Sequence, residues 1–272
     1  MRKSKNILAF SQLLNVAMFA CLLSACKDDN NSANGSANSP LAIQLDSFPL
    51  AVGHSWKFYT EIHVTDSVGA SILHSYYDNY WTVIADTVIN SVASAKVMQL
   101  DSNYDGSIHL GYSYYANKPD GFYGMAQENS GSMFFLLHEP PSAYYINPGT
   151  RTIDFTTTID TLFVPDTALC FMKFPIVIND SWHTVHYGSS GNYYQSRKYN
   201  SFQTVTTNAG TFNCVKLQVY YEDNGQPDTT LSIFQYYSRK GLIKETRFAH
   251  LTFGDGSHAT LNQITELVQV NF

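Results

Sequence analysis

Three segments of this chain occur twice, in the same order. FPLAVGHSW at 48–56 returns as FPIVINDSW at 174–182, with Phe, Pro, Ser and Trp in matching positions. AKVMQLDSNYDG at 95–106 then aligns with CVKLQVYYEDNG at 214–225. In the third pair, YSYYANKPDGFYG and FQYYSRKGLIKE, Gly121 aligns with Gly241. Matches in a constant order predict one duplicated unit whose spacing has been shifted by loop insertions.

The residues of the domain alternate as β-strands require. Val268, Val270 and Phe272 fall on one face of a strand, whereas Gln269 and Asn271 fall on the other. Tyrosine (19) and phenylalanine (17) are frequent and charged residues make up only 14% of the chain, a composition that favours strands. No segment sustains the i, i+3, i+4, i+7 apolar spacing of an amphipathic helix. The sequence therefore predicts an all-β fold.

Each unit is predicted to be an antiparallel meander of about four strands. In the first copy these are expected at 56–64, 79–89, 95–101 and 108–115. A single meander has an apolar face that it cannot bury alone. The two tandem copies are therefore expected to form one curved sheet, a half-barrel or packed sheets. Chance matching within an aromatic-rich β sequence is the alternative to duplication.

The amino-terminal segment has the order of a secretory signal. Arg2, Lys3 and Lys5 precede a short apolar stretch that ends in LSAC, with Cys26 as its last residue. LSAC resembles the lipobox of bacterial lipoproteins. This resemblance implies a diacylglyceryl group on the sulfur of Cys26, cleavage before that residue and acylation of the new amino end. An ordinary signal peptide with an incidental cysteine is the alternative.

The residues after Cys26 suggest on which side of the membrane the protein lies. KDD at 27–29 is similar to the export signal of Bacteroidetes lipoproteins on the outer face of the outer membrane. The Ser, Asn and Gly residues that follow predict a flexible tether. Loss of the signal removes three basic residues from a chain whose net charge is already −6. We therefore expect membrane contact through the acyl chains and no binding of nucleic acid.

These features divide the chain into a signal peptide (1–25), the lipidated cysteine with its tether (26–43) and a β domain (44–272). The domain contains repeat 1 (about 45–128), a connecting segment (129–169), repeat 2 (about 170–249) and a carboxy-terminal hairpin (250–272). The sequence gives no indication of the oligomeric state.

Three motifs of the domain resemble a known group of proteins. These are FPLxxGxxW at 48–56, AGTFxCxKL at 209–217 and YYSxxGLIK at 236–244. They look like uncharacterised Bacteroidetes surface lipoproteins and, more distantly, like envelope domains with the LolA-like open β-barrel. The resemblance implies an envelope protein, and its distant members imply lipid handling in a hydrophobic concavity. It supplies no catalytic residue.

Short motifs elsewhere are better explained by turns and strands than by chemistry. Asp101-x-Asn103-x-Asp105-Gly106 matches the opening of a calcium loop, but Tyr112 occupies the position of the bidentate glutamate. His183 and His186 are three residues apart on a predicted strand, so they point to opposite faces and cannot share a metal. We therefore expect no metal, no cofactor and no catalytic residue. A triad assembled from distant residues is the alternative.

Two cysteines remain in the mature chain besides Cys26. An exported protein lies in a compartment that permits disulfides, so Cys170 and Cys214 can bond to each other. Two buried thiols are the alternative. The sequence does not decide between them.

Clustered aromatic residues offer the best binding hypothesis. Tyr77, Trp81, Tyr114 and Tyr194 are the predicted binding surface, because flat amphipathic rings can stack on sugars or hold an extended partner. Consecutive tyrosines on a strand point to opposite faces, so one of each pair is expected in the core. Strand propensity and packing are the alternative explanation.

The sequence thus predicts a lipid-anchored, surface-exposed protein of the outer membrane. Its expected role is non-catalytic, either structural or in binding a glycan, a protein or an apolar ligand. The alternatives are a secreted hydrolase acting on surface polymers and a lipid-handling open barrel.

Overall fold

The computed structural model describes residues 43–102, 108–128, 146–147, 152–153, 164–165, 167–187, 193–252 and 256–272. The predicted signal peptide, Cys26 and the predicted tether up to residue 42 lie outside these described residues. Within the described ranges every regular element is a β-strand. No helix among them is long and apolar enough to span a membrane. The predicted all-β class is confirmed.

The strands fall into three groups along the chain. The first group is β1 (Ser55–Asp66), β2 (Ser71–Ile89), β3 (Val92–Ser102), β4 (Ile108–Lys118) and β5 (Gly121–Glu128). Two short strands, β6 (Ile146–Asn147) and β7 (Thr152–Ile153), pair only with each other. The third group is β8 (Leu169–Lys173), β9 (Ser181–Tyr187), β10 (Tyr193–Thr207), β11 (Gly210–Asp223), β12 (Gln226–Pro227), β13 (Leu231–Ser238), β14 (Gly241–Thr252) and β15 (His258–Val270).

Apart from β6 and β7, all of these strands form one antiparallel sheet of 13 strands. Their order is β8-β5-β4-β3-β2-β1-β15-β14-β13-β11-β10-β9, and β12 pairs with β11. The sheet curves until its two end strands lie side by side. Their proximity is shown by Trp182 Nε1 on β9, which donates to the Cys170 carbonyl on β8 at 2.8 Å. The protein is therefore a nearly closed, barrel-like sheet, as the prediction of one curved sheet allowed.

The matched sequence blocks occupy corresponding places in the strand order. Ser55 and Ser181 begin β1 and β9, so Trp56 and Trp182 are each the second residue of a strand. Gly121 and Gly241 begin β5 and β14. Each predicted repeat contains five main strands rather than the predicted four. The additional strand, β5 in the first repeat and β14 in the second, begins at the matched glycine. The duplication itself stays a prediction.

Aromatic side chains fill the end of the sheet at which β1 begins. Phe48 stacks on Phe122 with ring centroids 4.3 Å apart, and Trp56 Nε1 donates to the Lys240 carbonyl at 2.6 Å. The Asn117 side chain holds the extended segment before β1 through bonds of 2.8 Å to both the N–H and the carbonyl of Phe48. Gly241 adopts φ +90°, and a Cβ there would lie 3.0 Å from the Phe48 ring. A side chain is therefore disfavoured at position 241 both by the backbone and by the packing.

Candidate functional site

Three exposed tyrosines lie on the outer surface of β1 and β2. Tyr59, Tyr76 and Tyr80 keep 39%, 47% and 38% of their surface exposed. Tyr59 and Tyr76 are diagonal neighbours across the two strands, and their rings stack at 5.7 Å with planes 23° apart. We call these three residues the outer tyrosine face. It is an aromatic surface held in place by a sheet.

Charged groups between the rings are paired with one another. Lys57 Nζ lies 2.9 Å from Asp78 Oδ2, and the Tyr80 hydroxyl donates to the same carboxylate oxygen at 3.2 Å. The hydrogen bond to Asp78 raises the pKa of Lys57 above its usual value. Since the lysine and the aspartate neutralise each other, this part of the face has little net charge and retains oxygen and nitrogen atoms that can bond hydroxyl groups.

A second pair lies beside Tyr76. His74 Nε2 is 2.8 Å from Glu61 Oε1 and 2.7 Å from the Tyr76 hydroxyl. The His63 and His74 rings are 4.9 Å apart. These bonds fix the orientation of the Tyr76 ring, which would otherwise rotate freely at the surface. Among the described residues, no group of three or more His, Cys, Asp or Glu side chains is placed to hold a metal ion.

A row of polar residues crosses the otherwise largely apolar inner surface of the sheet. Each member lies directly opposite the next across neighbouring strands from β13 to β2. We call this the inner polar row; its members are Gln235, Glu245, Thr265, Thr60 and Tyr77. All but Tyr77, which is half-buried, are buried.

Hydrogen bonds join two pairs of residues within the inner polar row. Gln235 Nε2 donates to Glu245 Oε2 at 2.7 Å, and the Thr60 and Thr265 hydroxyls are 2.9 Å apart. Burial, together with the charges of nearby Asp101 and Glu245, raises the pKa of the Tyr77 phenol. Its hydroxyl therefore stays protonated at neutral pH and can donate a hydrogen bond.

Two arginines approach the row from either side. Arg247 Nη2 lies 3.3 Å from Glu245 Oε1, so this ion pair is buried. Arg197 on β10 is fully buried, and its Nη1 donates to Gln235 Oε1 at 3.1 Å. Its guanidinium lies 4.7 Å from the centre of the Phe171 ring. Burial lowers the pKa of Arg197, because an enclosed cation loses its hydration.

Side chains, rather than a backbone ladder, join β8 to the far end of the sheet. The Tyr199 hydroxyl donates to the Lys173 carbonyl at 2.8 Å and accepts from the Lys173 N–H at 2.9 Å. Thr184 Oγ1 donates to the Cys170 carbonyl at 3.2 Å, beside the bond from Trp182. We call this junction of β8 with β9 and β10 the seam. It closes the wall of the sheet without strand pairing.

The structure corrects part of the predicted aromatic surface. Trp81 (5% exposed) and Tyr114 (7% exposed) are buried, so neither presents a ring at the surface. Tyr77 is half-buried on the inner surface of the sheet, and Tyr194 is half-buried with its ring 4.6 Å from that of His183. In the segment Tyr76 to Trp81, the exposed members are Tyr76 and Tyr80. In this segment the two chosen residues, Tyr77 and Trp81, lie in the inward phase of the alternation.

The disulfide that the sequence permitted is not formed. Cys170 and Cys214 are free thiols on β8 and β11, and β9 and β10 lie between these strands in the sheet. Neighbouring strands are about 4.8 Å apart, so the two Cα atoms are too distant for a disulfide. Burial raises the pKa of both thiols, that of Cys214 to about 12.

The inner polar row was missed by the sequence analysis, although the sequence contains a signal for it. Gln235 has the same phase as Leu231, Ile233 and Tyr237 on β13, which are all buried. A polar residue in an apolar phase marks a buried polar group. Asp101, the first residue of the motif that matches the opening of a calcium loop, is 4% exposed, and its Oδ1 lies 2.9 Å from the Asn79 side-chain amide. Residues 103–107 of that motif lie outside the described part of the chain.

No known protein family matches the chain, and no curated protein matches it. Two solved structures are similar over most of its length. One is a candidate lipoprotein from Parabacteroides distasonis, 15% identical, which covers 84% of this chain and 99% of its own with a TM-score of 0.42. The other is a candidate exported protein with a YmcC-like fold from Bacteroides fragilis, 12% identical, which covers 85% of this chain and 100% of its own with a TM-score of 0.43.

Proposed function

We propose that this protein is a lipid-anchored, surface-exposed envelope protein that binds a neutral glycan on its outer tyrosine face. The observation that carries the proposal is the set of three exposed rings, Tyr59, Tyr76 and Tyr80, on two paired strands. Flat rings pack against the apolar faces of sugar units, and their hydroxyl groups bond to sugar hydroxyls. A sheet holds these rings at fixed spacing, so little conformational entropy is lost on binding.

The spacing of the rings suits an extended chain. Tyr76 and Tyr80 are four residues apart on β2, with Asp78 between them on the same surface. At about 3.3 Å per residue, their Cα atoms are roughly 13 Å apart along the strand. This distance spans more than one sugar unit, so a polymer can contact both rings while a monosaccharide can contact only one. We therefore expect affinity to increase with chain length.

The charge of the face favours a neutral polymer. Lys57 is ion-paired with Asp78, and the Glu61 carboxylate lies 2.8 Å from His74 Nε2. An anionic glycan would have to break the Lys57–Asp78 pair or leave its own charge uncompensated. A neutral glycan requires neither, since paired side chains still have lone pairs and N–H groups for its hydroxyls.

Affinity electrophoresis of the full lipidated chain in detergent tests the proposal. Laminarin, xyloglucan and starch are the neutral probes, and polygalacturonate is the anionic one. We expect at least one neutral polymer to retard the protein, and Tyr59→Ala with Tyr76→Ala to weaken that binding at least tenfold. Tyr220→Ala, at a half-buried tyrosine on β11, is the control and should leave it unchanged. Binding of polygalacturonate alone, or of none of the four, contradicts the proposal.

The same experiment separates the hydrolase from the binding module. Each glycan that binds is incubated with the protein, and new reducing ends are measured. The proposed role is non-catalytic, so we expect none above the blank. Chain cleavage would show that the face positions a substrate instead.

The proposed anchor depends on Cys26, in the lipobox-like LSAC. Cys26→Ala is expected to move the protein from the detergent phase to the aqueous phase in Triton X-114 partitioning, because acyl chains provide the membrane contact. Digestion of intact cells with a protease tests surface exposure. Unchanged partitioning of the variant would refute the anchor, and full protection from protease would refute the outward orientation.

A further inference from the structure

Arg197 is a cation enclosed by the sheet, and no carboxylate among the described residues pairs with it. Its Nη1 donates to Gln235 and, at 3.4 Å, to the Phe171 carbonyl. Within the described part of the chain, its Nε and Nη2 have no hydrogen-bond partner. Enclosed charged side chains are usually paired with an opposite charge, because the cost of desolvation is otherwise not repaid.

The two unsatisfied atoms are adjacent. Nε–H and Nη2–H point in the same direction from one edge of the guanidinium, and this edge is the fork that binds both oxygens of a carboxylate. The arginine is rigid in this orientation, since Nη1 is bonded on two sides and the plane lies against the Phe171 ring at 4.7 Å. The free edge is thus preorganised for one planar anion.

A second unsatisfied group lies nearby on the same strand. Gln195 is two residues before Arg197, so both side chains point into the interior. Gln195 Nε2 donates to the Tyr221 hydroxyl at 3.0 Å, whereas Gln195 Oε1 has no partner among the described residues. This oxygen can accept a hydrogen bond from a hydroxyl or amino group. An anion that also carries such a donor would satisfy both residues.

We propose that Arg197 and Gln195 form an interior binding site for a small organic carboxylate that carries a hydroxyl or amino group. The site is separate from the outer tyrosine face and does not depend on glycan binding. Arg197 is fully buried, so the ligand reaches it only when the sheet opens locally, and the seam is the place where it opens. The seam can yield because β8 meets β9 and β10 through side-chain hydrogen bonds and not through a ladder.

Titration with glycolate tests the proposal, using the full lipidated chain in detergent. Glycolamide is a neutral molecule of nearly the same shape, and sodium chloride controls for ionic strength. We expect glycolate to raise the midpoint of thermal unfolding in a saturable manner, and glycolamide and chloride to leave it unchanged. Equal effects of glycolate and glycolamide, or no effect of glycolate, would overturn the proposal.

Two variants assign the effect to the fork. Arg197→Lys keeps the positive charge but cannot bind a carboxylate through two parallel bonds, so we expect glycolate affinity to fall at least tenfold. Arg239→Met removes an exposed arginine at the β13–β14 turn and should bind glycolate like the wild type. Glycolate binding that survives Arg197→Lys, or that is lost in Arg239→Met, would contradict the assignment.

A measurement on the wild-type chain keeps the test valid if Arg197→Lys fails to fold. Nitrogen-15 labelling of arginine gives one Nε–H resonance for each arginine. We expect glycolate to shift a solvent-protected Nε–H resonance downfield, since that proton gains an anionic acceptor, and glycolamide to leave it in place. If no protected resonance moves with glycolate, Arg197 is a structural residue and the site does not exist.

Discussion

The Tyr199 hydroxyl makes the seam testable by removal of a single oxygen atom. It is fully buried and bonds to both the N–H and the carbonyl of Lys173, at 2.9 and 2.8 Å. Tyr199→Phe keeps the ring and its contact with Trp182, whose centroid is 5.0 Å away. The substitution therefore removes the two hydrogen bonds and little packing. What it leaves is a backbone N–H and a carbonyl that face a phenyl ring.

The expected loss of stability follows from that change. Each hydrogen bond contributes about 1 kcal/mol net, and a buried backbone group left without a partner costs about 1–3 kcal/mol. Partial rearrangement of β8 will recover some of this cost, so we expect the free energy of unfolding to fall by about 3 kcal/mol. For a domain of this size that corresponds to a decrease of roughly 6–12 °C in the unfolding midpoint.

Urea unfolding followed by tryptophan fluorescence measures the difference, and an unchanged m-value shows that only stability has changed. Tyr80→Phe is the matched control, because it removes an exposed hydroxyl that donates to Asp78 at 3.2 Å. It should change the free energy of unfolding by less than about 0.5 kcal/mol. Hydrogen exchange at the Lys173 amide should accelerate in Tyr199→Phe alone. Equal stability of the two variants would refute the role given to side chains in closing the seam.

Three further predictions concern the strand order and the buried ionisable groups. Gly121→Ala should lower the free energy of unfolding by about 2 kcal/mol or more in urea, since its Cβ would collide with the Met172 carbonyl oxygen; a loss below about 0.5 kcal/mol would contradict this packing. Cys214, whose pKa is raised to about 12 by burial, should resist iodoacetamide at about pH 8 until the protein is unfolded. Rapid alkylation of the native protein would show that the thiol is accessible. Burial also raises the pKa of Tyr237. The contribution of the Tyr237 phenol to stability should therefore be complete below the unfolded pKa of about 10 and decline as the pH rises above that value, because only the unfolded state then ionises. A free energy of unfolding that stays constant up to about pH 12 would contradict this prediction.

The class of the fold was predictable because alternation is a local property of the chain. The phase of that alternation was harder to assign where every residue is aromatic or polar. In the run Tyr76-Tyr77-Asp78-Asn79-Tyr80-Trp81, either set of alternate residues could face the core. Trp56 decides the phase, because it lies in the aromatic end and opposite Trp81 across the β1–β2 pair. That cross-strand register cannot be read from a single strand.

The inner polar row depends on pairing between strands that are distant in sequence. Thr60 meets Thr265, although about two hundred residues separate them along the chain. Neither residue alone suggests a buried network, because threonine is equally common on exposed strand surfaces. The burial of Arg197 was even less predictable, since this residue lies between a serine and a lysine in a polar stretch of sequence. Only the closed path of the sheet brings it against Gln235 and Phe171.

Two junctions close the sheet, the β1–β15 pair and the seam, and they differ in the hydrogen bonds that hold them. β15 has 13 residues and pairs with β1 along a ladder from Trp56 to Asp66. β8 holds the corresponding place beside β9 but has only five residues, and side chains of Trp182, Thr184 and Tyr199 make its bonds. Breaking a few side-chain bonds costs less free energy than separating a long ladder, so local opening occurs preferentially at the seam. Because Arg197 donates to the Phe171 carbonyl across this junction, movement of β8 also exposes the one buried cation that lacks a carboxylate partner among the described residues.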